Sequence, residues 1–404
     1  MMKKRLFIAI HYLEIGGAEM SLIGLLQALD YTRYAVDLFV YGHRGELMQF
    51  IPKEVHLLPE IPAYAAIEKP MTQCLRQGQW GVLFGRLKAR MQYRAYCRRT
   101  HPKDGAAILQ YIFNAVEPFL PSLHRLGTYD LAISFLTPHN IVLHKVSARR
   151  KAAWIHTDYT HIDVNAPLEL PVWSGFDHIV SISPSVRASF LKVFPSLESR
   201  IVEIENILSP AFVRRRAAMV PREAVEREMP RRPGTVNILS VGRFSDAKNY
   251  DNVPDICRRI IALGQPVVWY IIGYGGDEAL VRRKIAEAGM ERQVVLLGKR
   301  ANPYPYIQAC DIYAQPSRYE GKSVTVREAQ MLCKPVVVTD YATARSQVSD
   351  GVDGCIVPMD NAGCAGGIFD FVKNQPLQSR ITDYLATHDY GNEQEARKVE
   401  RLAE

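Results

Sequence analysis

The sequence predicts an α/β protein made of two Rossmann-like domains, each with a doubly wound parallel sheet. Short apolar runs with the length of buried strands alternate with segments of helical periodicity, which is the pattern of parallel sheets covered by helices. The alternation stops at a charged, proline-containing stretch, residues 214–233, which reads as a helix and loop on the surface, and begins again at residues 236–241. With 404 residues, the chain is long enough for two separate hydrophobic cores.

These interruptions define the predicted domains. Residues 1–205 form the first domain, with a basic helical insertion at about residues 63–125, and residues 206–385 form the second. Residues 386–404 read as a charged C-terminal helix. The strand-like runs of the first domain are residues 6–10, 35–41, 55–58, 131–135, 152–156 and 179–183.

Composition and charge narrow the class of protein. Hydrophobic residues make up 48% of the chain and charged residues 23%, which is ordinary for a globular protein in water. The net charge of +8 favours anionic partners such as nucleotide diphosphates, phosphoglycans, lipid headgroups or nucleic acid. The seven cysteines show no paired spacing, so we expect neither a disulfide framework nor a zinc cluster and predict a cytoplasmic protein.

The N-terminal sequence does not read as a targeting signal. The apolar run at residues 6–10 is too short for a signal peptide and fits a buried first strand. No run approaches the roughly 20 apolar residues that span a bilayer. Any membrane contact is therefore expected to be peripheral.

Two features of the first domain lie where open parallel sheets bind ligands. Gly16 and Gly17 separate the first strand from the first helix, so the backbone can approach a phosphate or a sugar there, although an ordinary tight turn explains the pair equally well. His156 follows a predicted strand at its carboxyl end, where such sheets carry their ligand crevice. A histidine at a strand end can also be purely structural.

The second domain opens with two cations around a turn. Arg243 and Lys248 follow the run at residues 236–241, and a guanidinium fork and an ammonium group can converge there on one anion. Gly273 begins a second turn, after residues 267–272. An NAD site is disfavoured at this turn because Glu278 stands where the third glycine of the dinucleotide motif belongs, so we expect a turn near a nucleotide.

The stretch at residues 317–329 places two carboxylates at a strand-to-helix junction. Glu320 lies in the loop and Glu328 inside the predicted helix, whose positive end can hold an anion with backbone N–H groups. Two carboxylates beside an anion site indicate a sugar nucleotide, with one carboxylate on the ribose hydroxyls and the other facing the transferred sugar. The alternative is a turn residue and a solvated helix residue. The turn and helix start comprise Gly321, Lys322, Ser323 and Val324.

This stretch, with residues 335–340 after it, resembles the donor-site signature of glycosyltransferase family 4, whose members are retaining enzymes of the GT-B fold. The resemblance extends over nearly the whole chain, and residues 242–249 match the diphosphate clamp of that family. It implies two Rossmann-like domains facing a central cleft, with the nucleotide sugar held mostly by the second domain and the acceptor by the first. It also implies a C-terminal helix that returns to the N-terminal domain.

The resemblance also implies roles for individual residues. Glu320, His156 and Glu328 would be the catalytic residues, with Glu320 and His156 near the sugar and Glu328 on the ribose or the reacting group. Arg243 and Lys248 would bind the diphosphate, while the main chain around Leu297 and Lys299 would meet the base. The remaining donor-binding residues would be Gly16, Gly17, Gly273, Gly321, Lys322, Ser323 and Val324.

The implied reaction is metal-independent hexosyl transfer from a nucleotide diphosphate sugar, with a UDP-sugar favoured, a GDP-sugar as the alternative and no further cofactor. The sequence contains no Asp-x-Asp metal signature. Segments 302–306 and 320–324 are similar to bacterial surface-polysaccharide transferases, which implies a glycan or polyprenyl-linked oligosaccharide as acceptor. Nucleic acid is not expected as a partner.

Three other functions remain open. A GT-B epimerase acting on sugar nucleotides could share both glutamates and the cationic clamp. A glycoside hydrolase would use paired carboxylates but would not need Arg243 and Lys248. A non-catalytic sugar-binding protein would be expected to carry an export signal.

Residues 69–103 contain no acidic residue and nine Lys and Arg residues. An apolar stripe at helical spacing, flanked by Arg86, Lys88 and Arg90, predicts an interfacial helix on an anionic membrane, although Arg94 and Arg98 intrude on the stripe. The alternative is a helix that packs its apolar side on the first domain and shows a solvated basic face. The stripe consists of Trp80, Leu83, Phe84, Leu87, Met91 and Ala95.

Overall fold

The chain divides into two compact units. Unit 1 comprises Met1–Leu208 and Asn392–Glu404, and unit 2 comprises Ser209–Gly391. In the chain, these divisions come slightly after the boundaries predicted at residues 205 and 385. The computed structural model describes residues 3–102, 104–160 and 162–404. Lys103, the last residue of the predicted basic segment, lies outside the described residues.

The strands of unit 1 are β1 (Lys4–Ile10), β2 (Tyr34–Val40), β3 (His56–Leu57), β4 (Tyr129–Ser134), β5 (Ala148–Ile155), β6 (His178–Ser181) and β7 (Ile201–Glu203). They form one sheet in the order β3-β2-β1-β4-β5-β6-β7, and their pairings are parallel. Leu6 to Ile10 are all buried, because helices cover both faces of a doubly wound sheet. The strand order reverses between β1 and β4, and such a switch point is where open α/β sheets bind ligands.

The strands of unit 2 are β8 (Val236–Val241), β9 (Val267–Ile272), β10 (Val294–Gly298), β11 (Ile312–Gln315), β12 (Val336–Thr339) and β13 (Cys355–Val357). They form a parallel sheet in the order β10-β9-β8-β11-β12-β13. The buried cluster beneath it includes Trp269, Ile256 and Phe371. The switch point of this unit lies between β8 and β11.

Seventeen α-helices connect the described strands and follow them. They are α1 (Gly17–Ala28), α2 (Pro62–Ala65), α3 (Met71–Arg76), α4 (Trp80–Thr100), α5 (Ile108–Val116), α6 (Asn140–Lys145), α7 (Ala166–Ser174), α8 (Pro184–Val193), α9 (Pro210–Ala217), α10 (Arg222–Glu228), α11 (Val253–Ala262), α12 (Glu278–Ala288), α13 (Tyr304–Ala309), α14 (Val324–Met331), α15 (Asn361–Lys373), α16 (Gln375–Thr387) and α17 (Ala396–Arg401). Within the described ranges, no helix is long and apolar enough to cross a membrane.

The predicted fold class is confirmed, since both units carry doubly wound parallel sheets in the Rossmann strand order. The run at residues 55–58 yields only the two-residue edge strand β3, where one neighbour is absent. The C-terminal segment is grouped with unit 1 and is tied to its core by specific bonds. The Asn392 side chain accepts from the Leu208 N–H at 2.8 Å, and Arg33 pairs with Glu400 at 3.2 Å.

Candidate functional site

The loops at the carboxyl edge of the unit 2 sheet carry most of the predicted site residues. Gly242 and Arg243 follow β8, Gly273 follows β9, and the loop that contains Glu320 follows β11. A Cβ added at Gly273 would lie 1.9 Å from the Gly242 carbonyl oxygen, so only glycine fits this contact between neighbouring loops. The Gly273 N–H donates to the Gly298 carbonyl at 3.0 Å, which joins the end of β10 to the same edge.

Glu320 is held by three donors at this edge. Its Oε1 accepts from Lys248 Nζ at 2.6 Å, from Ser317 Oγ at 2.6 Å and from Gln315 Nε2 at 2.8 Å. Lys248 ends a 3₁₀ turn after β8, whereas Gln315 ends β11, so the ion pair spans the switch point. A partly buried, charge-assisted contact of this length fixes the position of both side chains.

The other predicted cations have different surroundings. Arg243 is exposed, and its Cγ would lie 3.0 Å from a Cβ at Gly275, in the turn after β9. Within the described residues, Arg243 makes no hydrogen bond or ion pair. Lys299 Nζ lies 4.9 Å from the ring centroid of Tyr274, and Leu297 is half-buried just before it on β10.

The start of α14 is less open than the sequence predicts. The Ser323 N–H, which was expected to face an anion, donates to Gln347 Oε1 at 3.0 Å, and the Gln347 amide donates back to the Ser323 carbonyl. Gly321 and Lys322 lie between Glu320 and Ser323 in the chain, and Val324 is the first residue of α14. An anion at this helix end would therefore have to replace Gln347 or use the neighbouring amides.

Glu328 lies away from the ion pair, in a buried polar cluster on α14. Only 3% of Glu328 is exposed, and its Oε1 accepts from the Tyr304 hydroxyl at 2.6 Å. The Arg216 guanidinium, in a residue that is 1% exposed, lies 5.1 Å from the Tyr304 ring centroid. Burial raises the pKa of Glu328 to about 7, while the Tyr304 hydrogen bond and the Arg216 charge act to lower this pKa.

This cluster corrects one interpretation and reveals residues that the sequence analysis did not assign. The stretch at residues 214–233 was read as a surface helix and loop, which is wrong for Arg216. Tyr304 lies in segment 302–306, which the sequence analysis related to bacterial surface-polysaccharide transferases, but its bond to Glu328 had no sequence signal. Gln315 and Ser317 were likewise unassigned, although their place at the end of β11 could have indicated them.

The predicted residues of unit 1 lie at the carboxyl edge of its sheet. A Cβ at Gly16 would lie 2.1 Å from Glu19 Oε2, so the Glu19 carboxylate covers the turn formed by Gly16 and Gly17. His156 follows β5, and within the described part of the chain both of its ring nitrogens are buried without a hydrogen bond to another side chain, while the backbone at Phe135 acts to raise its pKa. Burial lowers the pKa of His156 to about 3, so its imidazole is neutral at physiological pH.

Two further histidines share this edge. His139 is buried with Nδ1 2.7 Å from Ser134 Oγ, and burial and the neighbouring His11 and His156 lower its pKa. His11 Nδ1 lies 2.7 Å from Glu68 Oε1, and its ring stacks on Tyr41 with centroids 5.1 Å apart. His11 also lines a cavity of about 180 Å³ together with Tyr41, Arg44, Glu60, Tyr64 and Glu68.

No group of three or more His, Cys, Asp or Glu side chains within residues 3–102, 104–160 and 162–404 could hold a metal ion. All seven cysteines are free thiols. The side chains at the carboxyl edge of unit 2 are instead those that contact a polyanion and hydroxyl groups: cations, carboxylates and amides.

Comparisons with known proteins relate this geometry to a family. Residues 222–387 match the sequence model of the family described as glycosyl transferases group 1. The chain is 34% identical over 125 residues to N-acetylgalactosamine-N,N'-diacetylbacillosaminyl-diphospho-undecaprenol 4-alpha-N-acetylgalactosaminyltransferase of Campylobacter jejuni, covering 31% of this chain and 33% of the relative. It is 28% identical over 141 residues to the amylovoran biosynthesis glycosyltransferase AmsK of Erwinia amylovora, covering 33% and 35%.

The similarity to the curated relatives therefore spans about a third of their length. Solved structures match over nearly the whole chain. HepE of Anabaena in complex with UDP and glucose has a TM-score of 0.68 at 16% identity, with 99% of each chain covered. The chain thus has the GT-B fold of two Rossmann-like units, and its residues 222–387 match the group 1 glycosyl transferases in sequence.

Proposed function

We propose that this protein is a retaining glycosyltransferase that moves a hexosyl group from a nucleotide diphosphate sugar to a glycan or lipid-linked oligosaccharide in surface polysaccharide synthesis. The observation that carries the proposal is the pair formed by Lys248 and Glu320 at the switch point of unit 2. A cation and a carboxylate in contact there suit the place where a sugar joins a phosphate. The family match at residues 222–387 covers both residues.

Departure of the nucleotide diphosphate builds negative charge on the leaving oxygen. Lys248 and the exposed Arg243 are proposed to stabilise this charge more strongly in the transition state than in the ground state. Such stabilisation needs no metal ion. The proposed donor contacts further include Gly273, Leu297, Lys299, Gly321, Lys322, Ser323 and Val324.

The two glutamates have separate proposed roles. Glu320, oriented by its three donors, contacts the transferred sugar. Glu328 receives the ribose hydroxyls or acts on the reacting group, and Tyr304 orients its carboxylate. The neutral imidazole of His156 is proposed to hydrogen-bond the transferred sugar. Gly16 and Gly17 are proposed to let the backbone approach a phosphate or a sugar.

The proposed acceptor is a glycan or a polyprenyl-linked oligosaccharide bound by unit 1. The names of the Campylobacter and Erwinia relatives refer to a diphospho-undecaprenol-linked sugar and to amylovoran synthesis. The cavity beside His11 combines carboxylates with aromatic rings, a mixture that suits sugar hydroxyls and sugar faces. A membrane-linked acceptor places the protein in the cytoplasm, peripherally at the inner face of the membrane.

A panel of UDP-sugars and GDP-sugars tests the donor proposal. At saturating concentration the true donor should raise the melting temperature, because ligand at about 100 times Kd stabilises the folded state by about 2.7 kcal/mol. Transfer should need an acceptor and continue in EDTA. Conversion of the sugar nucleotide without acceptor would indicate an epimerase, and activity that EDTA abolishes and Mg²⁺ restores would contradict metal independence.

A further inference from the structure

Helix α4 packs against its own unit through its small residues. Its buried positions are Val82, Gly85 and Ala89. A Cβ at Gly85 would lie 2.7 Å from the Ala115 carbonyl oxygen on α5, so the absence of a side chain lets the two helices approach closely. In the first half of α4, the face that contacts the unit therefore carries small side chains, while Tyr93 and Tyr96 pack on Tyr111 of α5 further along the helix.

The large apolar side chains of α4 point the other way. They make up the apolar stripe of the sequence, of which Leu83 is half-buried and Ala95 exposed. The interpretation in which this stripe packs on the first domain is therefore wrong for its largest members. Those members are exposed by 63% at Trp80, 61% at Phe84, 46% at Leu87 and 72% at Met91.

The charge around this exposed stripe has a single sign. Residues 69–102 contain no Asp or Glu. At 100° per residue, Lys88 falls on one flank of the stripe, Arg90 and Arg94 fall on the other, and Arg98 continues its line in the last turns. All four are exposed, and none of them forms an ion pair with a described residue.

Arg86 does not belong to this surface, although the sequence grouped it with the flanking basic residues. Its Nη1 donates to the Ala66 carbonyl at 3.2 Å and also contacts the Lys69 carbonyl, and it lies 3.4 Å from Cys74 Sγ. Arg86 therefore joins α4 to the segment between α2 and α3. Its role is to hold the fold, and it serves as a structural reference in the experiment below.

We propose that the outer face of α4, formed by Trp80, Phe84, Leu87 and Met91 with Lys88, Arg90, Arg94 and Arg98, docks on an anionic lipid bilayer. A bilayer matches both parts of this face, because the apolar side chains can enter the acyl boundary while the cations stay at the headgroups. A second copy would bring the cations of one face against those of the other. The inference deepens the proposed peripheral location by naming its surface, and it does not depend on the donor chemistry.

Vesicle flotation of the full chain tests this surface. The protein should bind vesicles of phosphatidylcholine and phosphatidylglycerol in equal amounts at low salt, release as salt rises, and leave pure phosphatidylcholine vesicles unbound. The triple variant K88Q/R90Q/R94Q should lower the partition coefficient on the order of 100-fold, because each Lys or Arg near an anionic surface contributes about fivefold. The pair F84S/M91S should weaken binding as well.

The matched control removes three exposed cations elsewhere in unit 1, in the variant K53Q/R125Q/K192Q. It should lose far less binding than the α4 triple variant, and an equal loss would overturn the proposal in favour of a general charge effect. R86Q should lower the melting temperature. In the α4 variants, the donor should raise the melting temperature as much as it does in the parent. A loss of vesicle binding with this stabilisation intact is then independent of the transferase proposal.

Tryptophan fluorescence gives an independent readout of insertion. The chain has four tryptophans, and Trp154, Trp173 and Trp269 are buried, so Trp80 is the one exposed to solvent. Anionic vesicles should shift the emission to the blue, and W80F should abolish the shift. No shift with bound protein, no binding at low salt, or full binding by F84S/M91S would each refute docking through this face. A dimer that dissociates in F84S/M91S would assign the face to a second copy instead.

Discussion

Glu328→Gln should change how the stability of the protein depends on pH. The carboxyl group of Glu328 has its pKa raised by burial from 4.5 to about 7. Between these values the folded state keeps a proton that the unfolded state releases, so the parent loses stability as pH rises from about 4.5 to 7. A shift of this size corresponds to roughly 3 kcal/mol at 1.36 kcal/mol per pKa unit.

The variant Glu328→Gln should not lose stability between pH 4.5 and 7, because glutamine does not titrate. Its amide oxygen can still accept the hydrogen bond from Tyr304. Relative to the parent, Glu328→Gln should therefore gain about 3 kcal/mol of unfolding free energy between pH 4.5 and pH 8. Urea unfolding at several pH values, followed through the buried Trp269 of unit 2, measures the difference. The control is Glu291→Gln, at an exposed position, whose unfolding free energy should depend on pH in the same way as that of the parent. If the unfolding free energy of Glu328→Gln depended on pH in the same way as that of the parent, the argument that burial raises the pKa of Glu328 would be refuted.

Three further changes test the proposed contacts. Arg243→Ala should lower kcat/KM for transfer roughly 10²-fold and weaken the binding of nucleotide diphosphate, while the binding of free sugar stays unchanged. Isothermal titration with UDP measures the change in binding, with Arg292→Ala as the control variant. His156→Ala should lower kcat more than it raises KM for the donor, because the histidine is proposed to contact the sugar and not the nucleotide. If His156→Ala were as active as the parent, the role of His156 would be structural. Tyr304→Phe removes the hydrogen bond to Glu328, for which about 0.5–1.5 kcal/mol is typical between neutral groups, and should weaken donor binding about two- to tenfold. An unchanged donor affinity in this variant would contradict the proposed contact between Glu328 and the ribose.

The fold was predictable because its signals are local. Apolar runs such as residues 6–10 mark strands buried on both faces, and the same alternation repeats in each half. The contact between Lys248 and Glu320 was not predictable from the residues alone, since 72 positions separate them in the chain. Only the parallel order of β8 and β11 brings their loops together.

Buried polar groups were harder to foresee. Arg214, Arg215 and Arg216 are consecutive in the sequence, yet helical geometry directs Arg216 into the core while Arg215 stays exposed. The apolar stripe of α4 was visible, but its outward direction was not. Gly81, Gly85 and Ala89, spaced by four, could have indicated the packing face, because small residues allow close helix contact.

The most direct test of the central claim measures nucleotide diphosphate release from the donor that the thermal-shift panel identifies, in the parent, in Glu320→Gln and in the control Glu287→Gln. Glu287 is exposed on α12, away from the carboxyl-edge loops, and should behave as the parent. We expect Glu320→Gln to reduce kcat by roughly 10²-fold or more while donor affinity changes by only a few fold. Near-normal turnover in Glu320→Gln would contradict the assignment of the reaction to the pair formed by Lys248 and Glu320.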